Sequence, residues 1–403
     1  MKGKKIAVFG NMNNTYLNLT RYLRDAGYAA TLFICKGEPE HFAPDCDMFS
    51  DDYKQYTVNL KWGQLYDLLH VSAEEIKKQF AGYDFFIGSG YAPAYLHKAG
   101  ITLDLFFVYG WDLYQAPFFR IHNPLKTINF FHNLLHQRAG IRASKNMSVG
   151  DPSPFYDKML KKAGFKGKRF TFSAPHIYEP DYNPENIEKY YPISTTYASF
   201  KQIRDQYDFV IFHNTRQIWT TRTNDVSIKD NDQLFKGVQK AKQLTDKTIA
   251  VIAFEYGSDY KDSQKLCKDL NIDTDVFWMP LSPRKELMIG MSLCDVVAGE
   301  FKNSWLTYGV VVEAMAAAKP IIHNRIDSLY ADEDLYPMLS ARNEHEIKEQ
   351  ILFAINNPEK MKEMGRGANE WYKKRIAERT VTEITKLIGE KIKTQVPIIE
   401  PVH

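Results

Sequence analysis

The stretch Tyr308-Gly-Val-Val-Val-Glu-Ala-Met-Ala-Ala-Ala-Lys-Pro-Ile-Ile322 sets a glycine at a helix start and an acid one turn later. A run of small residues and a proline stop before an apolar strand follow. The first amides of a helix have no internal acceptor and attract anions, which makes Tyr308, Gly309 and Val310 candidate phosphate contacts. Glu313 is placed to accept hydroxyl groups of a ligand; the alternative is a carboxylate that merely complements the helix dipole. Arg216 offers a planar fork and Lys229 a point charge, both suited to phosphate. Two fixed cations beside a helix start would stabilise charge growing on a diphosphate leaving group without a metal. The alternative for each is a solvated surface charge.

Other patterns carry weaker chemistry. Asp273-Thr-Asp275 and Asp230-Asn-Asp232 have the bare Asp-x-Asp spacing that can ligate a divalent cation. One precedes a strand and the other opens a helix, so turn and cap roles fit better, and no metal is expected. In Tyr109-Gly-Trp-Asp112, a carboxylate follows a buried strand, where it could orient or deprotonate a hydroxyl, or simply cap the turn. Gly10-Asn11 allows close approach of backbone to a substrate, or a plain tight turn. It is no Gly-x-Gly-x-x-Gly fingerprint, which disfavours a nicotinamide cofactor.

The elements that must hold these residues read as alternating strands and helices. Lys5–Phe9, Ala29–Cys35, Asp84–Ile87 and Leu105–Val108 are short apolar runs ending in glycine or polar residues. A helix over Thr15–Asp25 should close on a left-handed Gly27, and Ser72-Ala-Glu-Glu75 has capping-box spacing. A second series runs through Phe209–Phe212, Ile249–Phe254, Val276–Met279, Asp295–Ala298 and Ile321–Asn324, with helices between them and two more, Glu344–Asn356 and Pro358–Glu390, at the end. Continuous apolar strands alternating with helices indicate parallel sheets covered on both faces. The expected architecture is α/β, with two doubly wound Rossmann-like domains facing across a cleft, and ligands outside the carboxyl ends of strands. The domains are expected at residues 1–200 and 201–375, with a helix over 376–403 packing back toward the first. The Pro- and Tyr-rich segment His176–Tyr197 leads to the boundary.

Glu313-Ala-Met-Ala-Ala-Ala-Lys-Pro-Ile-Ile322 is similar to the Glu-Ala-Met-Ala-x-Gly-Lys-Pro-Val-Ile region of GT-B-fold glycosyltransferases, especially the retaining family 4-like group. The resemblance extends to Arg216, to Lys229 in Lys-Asp-Asn-Asp-Gln-Leu-Phe, and through Pro280–Leu287 and Cys294–Val297; it covers about Phe209 to Pro320. It implies a metal-independent hexosyltransferase of polysaccharide biosynthesis that acts with retention. Arg216 and Lys229 would then contact the diphosphate of a UDP- or GDP-linked donor, and Glu313 its ribose. Asp112, in a Gly-x-Asp similar to amino-terminal loops of this group, and Gly10-Asn11 would serve the substrates, a glycan or lipid-linked acceptor among them. The alternatives are an epimerase, a phosphorylase or a non-catalytic nucleotide-sugar binder on the same fold. The sequence departs from the pattern where the family's first Glu falls on Trp305, with Glu300 the nearest substitute. It departs again at Asp230 and Ala318, where the family has Gly. A left-handed backbone at Ala318 would cost roughly 1 kcal/mol.

Bulk properties bound the rest. Lys+Arg 52 against Asp+Glu 49 leaves a net charge of +3 in 403 residues, too balanced for a dedicated nucleic-acid binder. Aromatic residues at 14% fit large clefts or carbohydrate-facing surfaces. Cys35, Cys46, Cys267 and Cys294 show no metal or disulfide spacing, and no signal peptide or membrane span is evident, so a cytoplasmic protein is expected. Lys158, Lys161, Lys162, Lys166, Lys168 and Arg169 lie close to an apolar stripe of Leu125, Ile128, Phe131, Leu134 and Leu135, flanked by Lys126, His132 and Arg138. Together they suit peripheral docking on an anionic membrane; the alternative is core plus solvated lysines.

Overall fold

The computed structural model describes residues 3–118, 127–150, 154–221, 227–331 and 333–395. The chain divides into two compact units, Met1–His176 with Lys374–His403, and Ile177–Lys373. The division falls at His176/Ile177 rather than at 200/201. Residues 177–200 belong to the second unit because Glu286 there accepts from Ser194, Thr195 and Thr196, and Phe200 packs on Phe212.

The first unit holds a seven-stranded sheet of β1 (Lys5–Phe9), β2 (Ala29–Ile34), β3 (Thr57–Asn59), β4 (Phe85–Gly88), β5 (Leu105–Phe107), β6 (Asn146–Ser148) and β7 (Lys168–Phe170), ordered 3-2-1-4-5-6-7 and parallel throughout. Strand alternation divides its core in two. Ala7 and Phe9 join Phe33, Trp62, Phe80 and Tyr95 on one face. On the other face Ile6 and Val8 join Leu17, Phe85 and Leu105, together with Ile384, Leu387 and Ile388 of the carboxyl-terminal helix Arg379–Gln395. Lys391 of that helix reaches Asp104 Oδ2 at 2.6 Å. The Thr15–Asp25 helix ends as the sequence requires: Gly27 is at φ +89°, with Gly27 N–H bonded to Arg24 O and Tyr28 N–H to Leu23 O.

The second unit holds a six-stranded parallel sheet of β8 (Phe209–His213), β9 (Ile249–Phe254), β10 (Val276–Met279), β11 (Val296–Ala298), β12 (Ile321–His323) and β13 (Leu339–Ser340), ordered 10-9-8-11-12-13. In each sheet the order reverses beside the first strand, between β1 and β4 and between β8 and β11. In open α/β sheets ligands bind at such a switch point, outside the carboxyl ends of the strands. The long carboxyl-terminal helical stretch passes through a π-helical segment, Lys373–Glu378, where it leaves the second unit.

Candidate active site

At the β8–β11 switch point, buried His213 closes β8. Its Nε2 accepts from Asn231 Nδ2 at 2.9 Å, which leaves Nδ1 to donate to Ala298 O at 3.0 Å. Burial drives the imidazole pKa down to about 4, so the ring is neutral. Asn231 Oδ1 accepts Ile218 N–H at 3.0 Å, joining the two ends of the loop that carries Arg216 and Lys229. Lys229 is fixed by its own backbone, donating to Ile218 O (2.7 Å) and accepting from Phe301 N–H (2.9 Å). Asp230 beside it is left-handed, at φ +50°.

Arg216 is exposed, but the chain under it is rigid. Gln217 N–H donates to Tyr256 O, and Gln217 O accepts Asp259 N–H. Asp259 Oδ2 takes the amides of Trp219 and Thr220 at 2.7 and 2.8 Å. Gly257, at φ +108°, is required here because a Cβ would stand 2.4 Å from Gln217 O.

Lys229 ion-pairs with Glu300, the second residue after β11 and almost wholly buried. Burial raises the Glu300 carboxyl. Hydrogen bonds from Lys229 and Trp305 and the positive charge of Arg216 pull it back. Arg216, Lys229, Glu300 and Trp305 thus form one cluster. Glu300 N–H donates to Tyr308 Oη at 2.7 Å, and a Cβ on Gly299 would lie 2.0 Å from that oxygen. Tyr308 caps the helix Gly309–Ala316, whose first internal bond is Val312 N–H to Tyr308 O; the amides of Gly309 and Val310 precede it.

Glu313 faces a partner the sequence did not point to. Its Oε1 accepts Arg284 Nε at 2.9 Å and its Oε2 accepts Asn214 Nδ2 at 3.2 Å, with both charged side chains 8% exposed. Arg284 and Asn214 thus orient the Glu313 carboxylate. Asn214, His213 and Asn231 were missed because lone polar residues beside a strand carry no signature. Arg284 had one signal, its place after Pro283 at a helix start.

Gly10, Asn11 and Asp112 lie in the first unit, at the β1–β4 switch point. Asp112, read as facing a substrate, is instead fully buried. Its Oδ2 accepts Gly90 N–H (3.1 Å) and its Oδ1 accepts Gly110 and Tyr109 N–H (3.0 and 3.3 Å), tying the ends of β4 and β5 together. Burial lifts its pKa to about 7 against those three bonds. The Asn11 side chain is also internal, accepting Leu17 N–H and donating to Asn14 Oδ1 and Phe42 O. What faces open space is a cavity of about 340 Å³ lined by Gly10, Asn11, Glu38, Gln64, Tyr91 and Trp111 among others.

One carboxylate of each Asp-x-Asp pair is engaged elsewhere. Asp275 binds Lys242 and Tyr207, and Asp232 binds Lys236. Among the described residues no three His, Cys, Asp or Glu side chains are grouped to hold a metal, and no helix is long and apolar enough to cross a membrane. The four cysteines are free thiols. Two bases of the basic window are paired, Arg169 with Asp157 and Lys168 with Glu390, and Lys168–Phe170 is a strand. The apolar stripe is split: Leu134 is buried, whereas Phe131 and Leu135 are exposed. Leu125 and Lys126 lie outside the described residues, as do the side chains of Ile128 and His132.

The two parallel sheets and their helices have the GT-B fold. Solved structures match nearly end to end. Sucrose-phosphate synthase from Thermosynechococcus elongatus has a TM-score of 0.59 and 13% identity, over 97% of this chain and 100% of that one. Anabaena Alr3699/HepE in complex with UDP-glucose has 0.58 and 14%, over 97% and 99%. UDP-GlcNAc 2-epimerase from Neisseria meningitidis bound to UDP-GlcNAc has 0.53 and 13%, over 95% and 100%. No family model and no curated protein matches the sequence.

Proposed function

We propose that the chain is a metal-independent glycosyltransferase whose second unit binds a UDP- or GDP-linked sugar and whose first unit binds a glycan or lipid-linked acceptor. The observation that carries this reading is the gathering of Arg216, Lys229 and Glu300 at the β8–β11 switch point. Arg216 and Lys229 take the diphosphate, and the amides of Gly309 and Val310 at the Tyr308 cap take a phosphate oxygen. Glu300 holds Lys229 in place before the donor arrives. As the glycosidic bond breaks, these fixed charges meet the negative charge growing on the leaving diphosphate, with little reorganisation. Glu313, oriented by Arg284 and Asn214, accepts the ribose hydroxyls. Asp112 positions the β4 and β5 loops and does not abstract a proton. Retention of configuration follows the family resemblance.

The choice among nucleotide-sugar chemistries is tested by assaying donor panels with and without acceptor sugars, in wild type, Arg216→Ala and Lys229→Ala. Transfer that collapses in both variants supports the reading. Undiminished transfer removes the residue concerned, and conversion of the donor without any acceptor replaces transfer by epimerisation. Peripheral docking of the first unit, through Lys158, Lys161, Lys162 and Lys166, predicts salt-sensitive binding to anionic vesicles and none to neutral ones.

A further inference from the structure

The hydrogen-bond chain through His213 ends on backbone groups whose roles are fixed. Ala298 O only accepts, so His213 Nδ1, 3.0 Å away, carries the ring hydrogen. Ile218 N–H only donates, so the Asn231 atom 3.0 Å from it is Oδ1. Between these ends Asn231 Nδ2 faces the bare His213 Nε2 at 2.9 Å. The donors therefore all point one way, from Ile218 through Asn231 and His213 to Ala298. Both side chains are fully buried, so a bond lost here is not made good by solvent. A flipped Asn231 amide would set Nδ2 against Ile218 N–H and Oδ1 against the bare ring nitrogen, two repulsions in place of two bonds.

The same stretch of chain carries the two cations. Arg216 stands two residues before Ile218 and Lys229 two before Asn231, and Ile218 O accepts Lys229 N–H at 2.7 Å. Asp230, between Lys229 and Asn231, is at φ +50°, a backbone that L side chains seldom adopt. It keeps that form between two residues that are each bonded to Ile218.

We propose that His213 is a positioning residue of the donor site: by holding its hydrogen on Nδ1 it fixes the Asn231 amide, and that amide holds Arg216 and Lys229 where they meet a diphosphate. The inference rests on the transfer reading above and adds to it a residue buried beneath the site. A neutral ring suits the role, and burial keeps it neutral, its pKa pushed down to about 4. The ring touches the Asn231 amide, the Ala298 carbonyl and, edge to face, Phe235 of the helix Asp232–Lys242. The charged side chains on these elements are paired with one another, Asp232 with Lys236 and Glu300 with Lys229.

The test compares full-length wild type with His213→Leu, Asn231→Ala and Asn231→Asp, by titration with UDP-glucose and GDP-mannose and by amide hydrogen exchange. His213→Leu and Asn231→Ala each break the chain of bonds. Donor affinity should fall at least tenfold, and exchange at Ile218 and Lys229 should quicken at least tenfold, while β9 (Ile249–Phe254) keeps its wild-type rate. Asn231→Asp keeps the shape but sets two acceptors face to face unless a proton lies between the carboxylate and Nε2. Against wild type at the same pH, it should bind within threefold at pH 5.5 and at least tenfold more weakly at pH 9, once that proton has left. A side chain that only fills space would give no such pH dependence. Wild-type affinity and exchange in whichever variant folds, an equal loss at both pH values in Asn231→Asp, or exchange quickened as much in β9 would each overturn the proposal. Wild type that binds neither nucleotide sugar would sink the transfer reading, and the exchange rates, which need no ligand, would still decide whether His213 holds the loop.

Discussion

The two units share one architecture and differ in the charge they collect at corresponding points. At the β1–β4 reversal Asp112 is capped by three amides and Glu38 by two, and neither forms an ion pair among the described residues. At the β8–β11 reversal Glu300 pairs with Lys229 and Glu313 with Arg284, Asp259 is capped by amides, and Arg216 stands exposed. The parallel sheets set the same reversal in both units, while the loops set the charge gathered there. A cationic rim suits a diphosphate.

The contrast is broken most severely by removing one member of a buried pair in the second unit. Arg284→Ala leaves Glu313 buried and uncompensated, and Lys229→Ala does the same to Glu300. Each should lower the free energy of unfolding by about 3–5 kcal/mol, read from urea melts. Adding Glu313→Gln or Glu300→Gln should return much of that loss, and strictly additive effects would contradict the pairing. Arg216→Ala separates function from stability. Its exposed side chain should leave the melt within about 0.5 kcal/mol, whereas transfer should fall about 10²–10³-fold. A stability loss comparable to that of Lys229→Ala would show that Arg216 is a structural ion.

Asp112 sharpens the comparison from the first unit. Its carboxyl titrates near 7 when folded against the ordinary 3.8, so between those values the folded chain keeps a proton that the unfolded chain has released. Its contribution is therefore greatest in acid and falls as pH rises toward 7, by up to about 1.4 kcal/mol per pH unit, then stays level. Comparing urea midpoints at pH 5 and 7.5, Asp112→Asn should flatten this fall. An identical slope in the variant would mean that the carboxyl is already ionised in acid. The smallest effect is expected at Ala318, left-handed at φ +51° where Ala318 N–H bonds Met315 O and Lys319 N–H bonds Ala314 O. Ala318→Gly should stabilise by about 1 kcal/mol, a rise of roughly 2–4 °C in Tm. No change would mean that the strain is already relieved.

The strands that could be read from sequence were those carrying a continuous apolar run, whether central or, like Val276–Met279, at an edge. Lys5–Phe9, Ile249–Phe254 and Val276–Met279 stand where their apolar runs placed them. The ones that could not be read are short and lack an apolar run: Thr57–Asn59 and Lys168–Phe170 at the edges of one sheet, Leu339–Ser340 at an edge of the other, and Asn146–Ser148 beside an edge. Lys168–Phe170 was hidden inside a run of bases whose partners, Asp157 and Glu390, lie outside that window. At the site, Arg216, Lys229 and Glu313 were visible through spacing and resemblance. The bond from Asn11 to Glu38 was not, because one acid in a loop acquires meaning only when the sheet brings the β2 loop over the β1 turn.

The Arg379–Gln395 helix completes the core of a unit whose other residues are made first. On the ribosome the second unit is contiguous and can close on itself. The face built on Ile6 and Val8 must wait, uncovered, for Ile384, Leu387 and Ile388 to emerge. Nascent chains stalled shortly before residue 384 should therefore carry a protease-resistant second half and a first half still open to chaperones and cleavage.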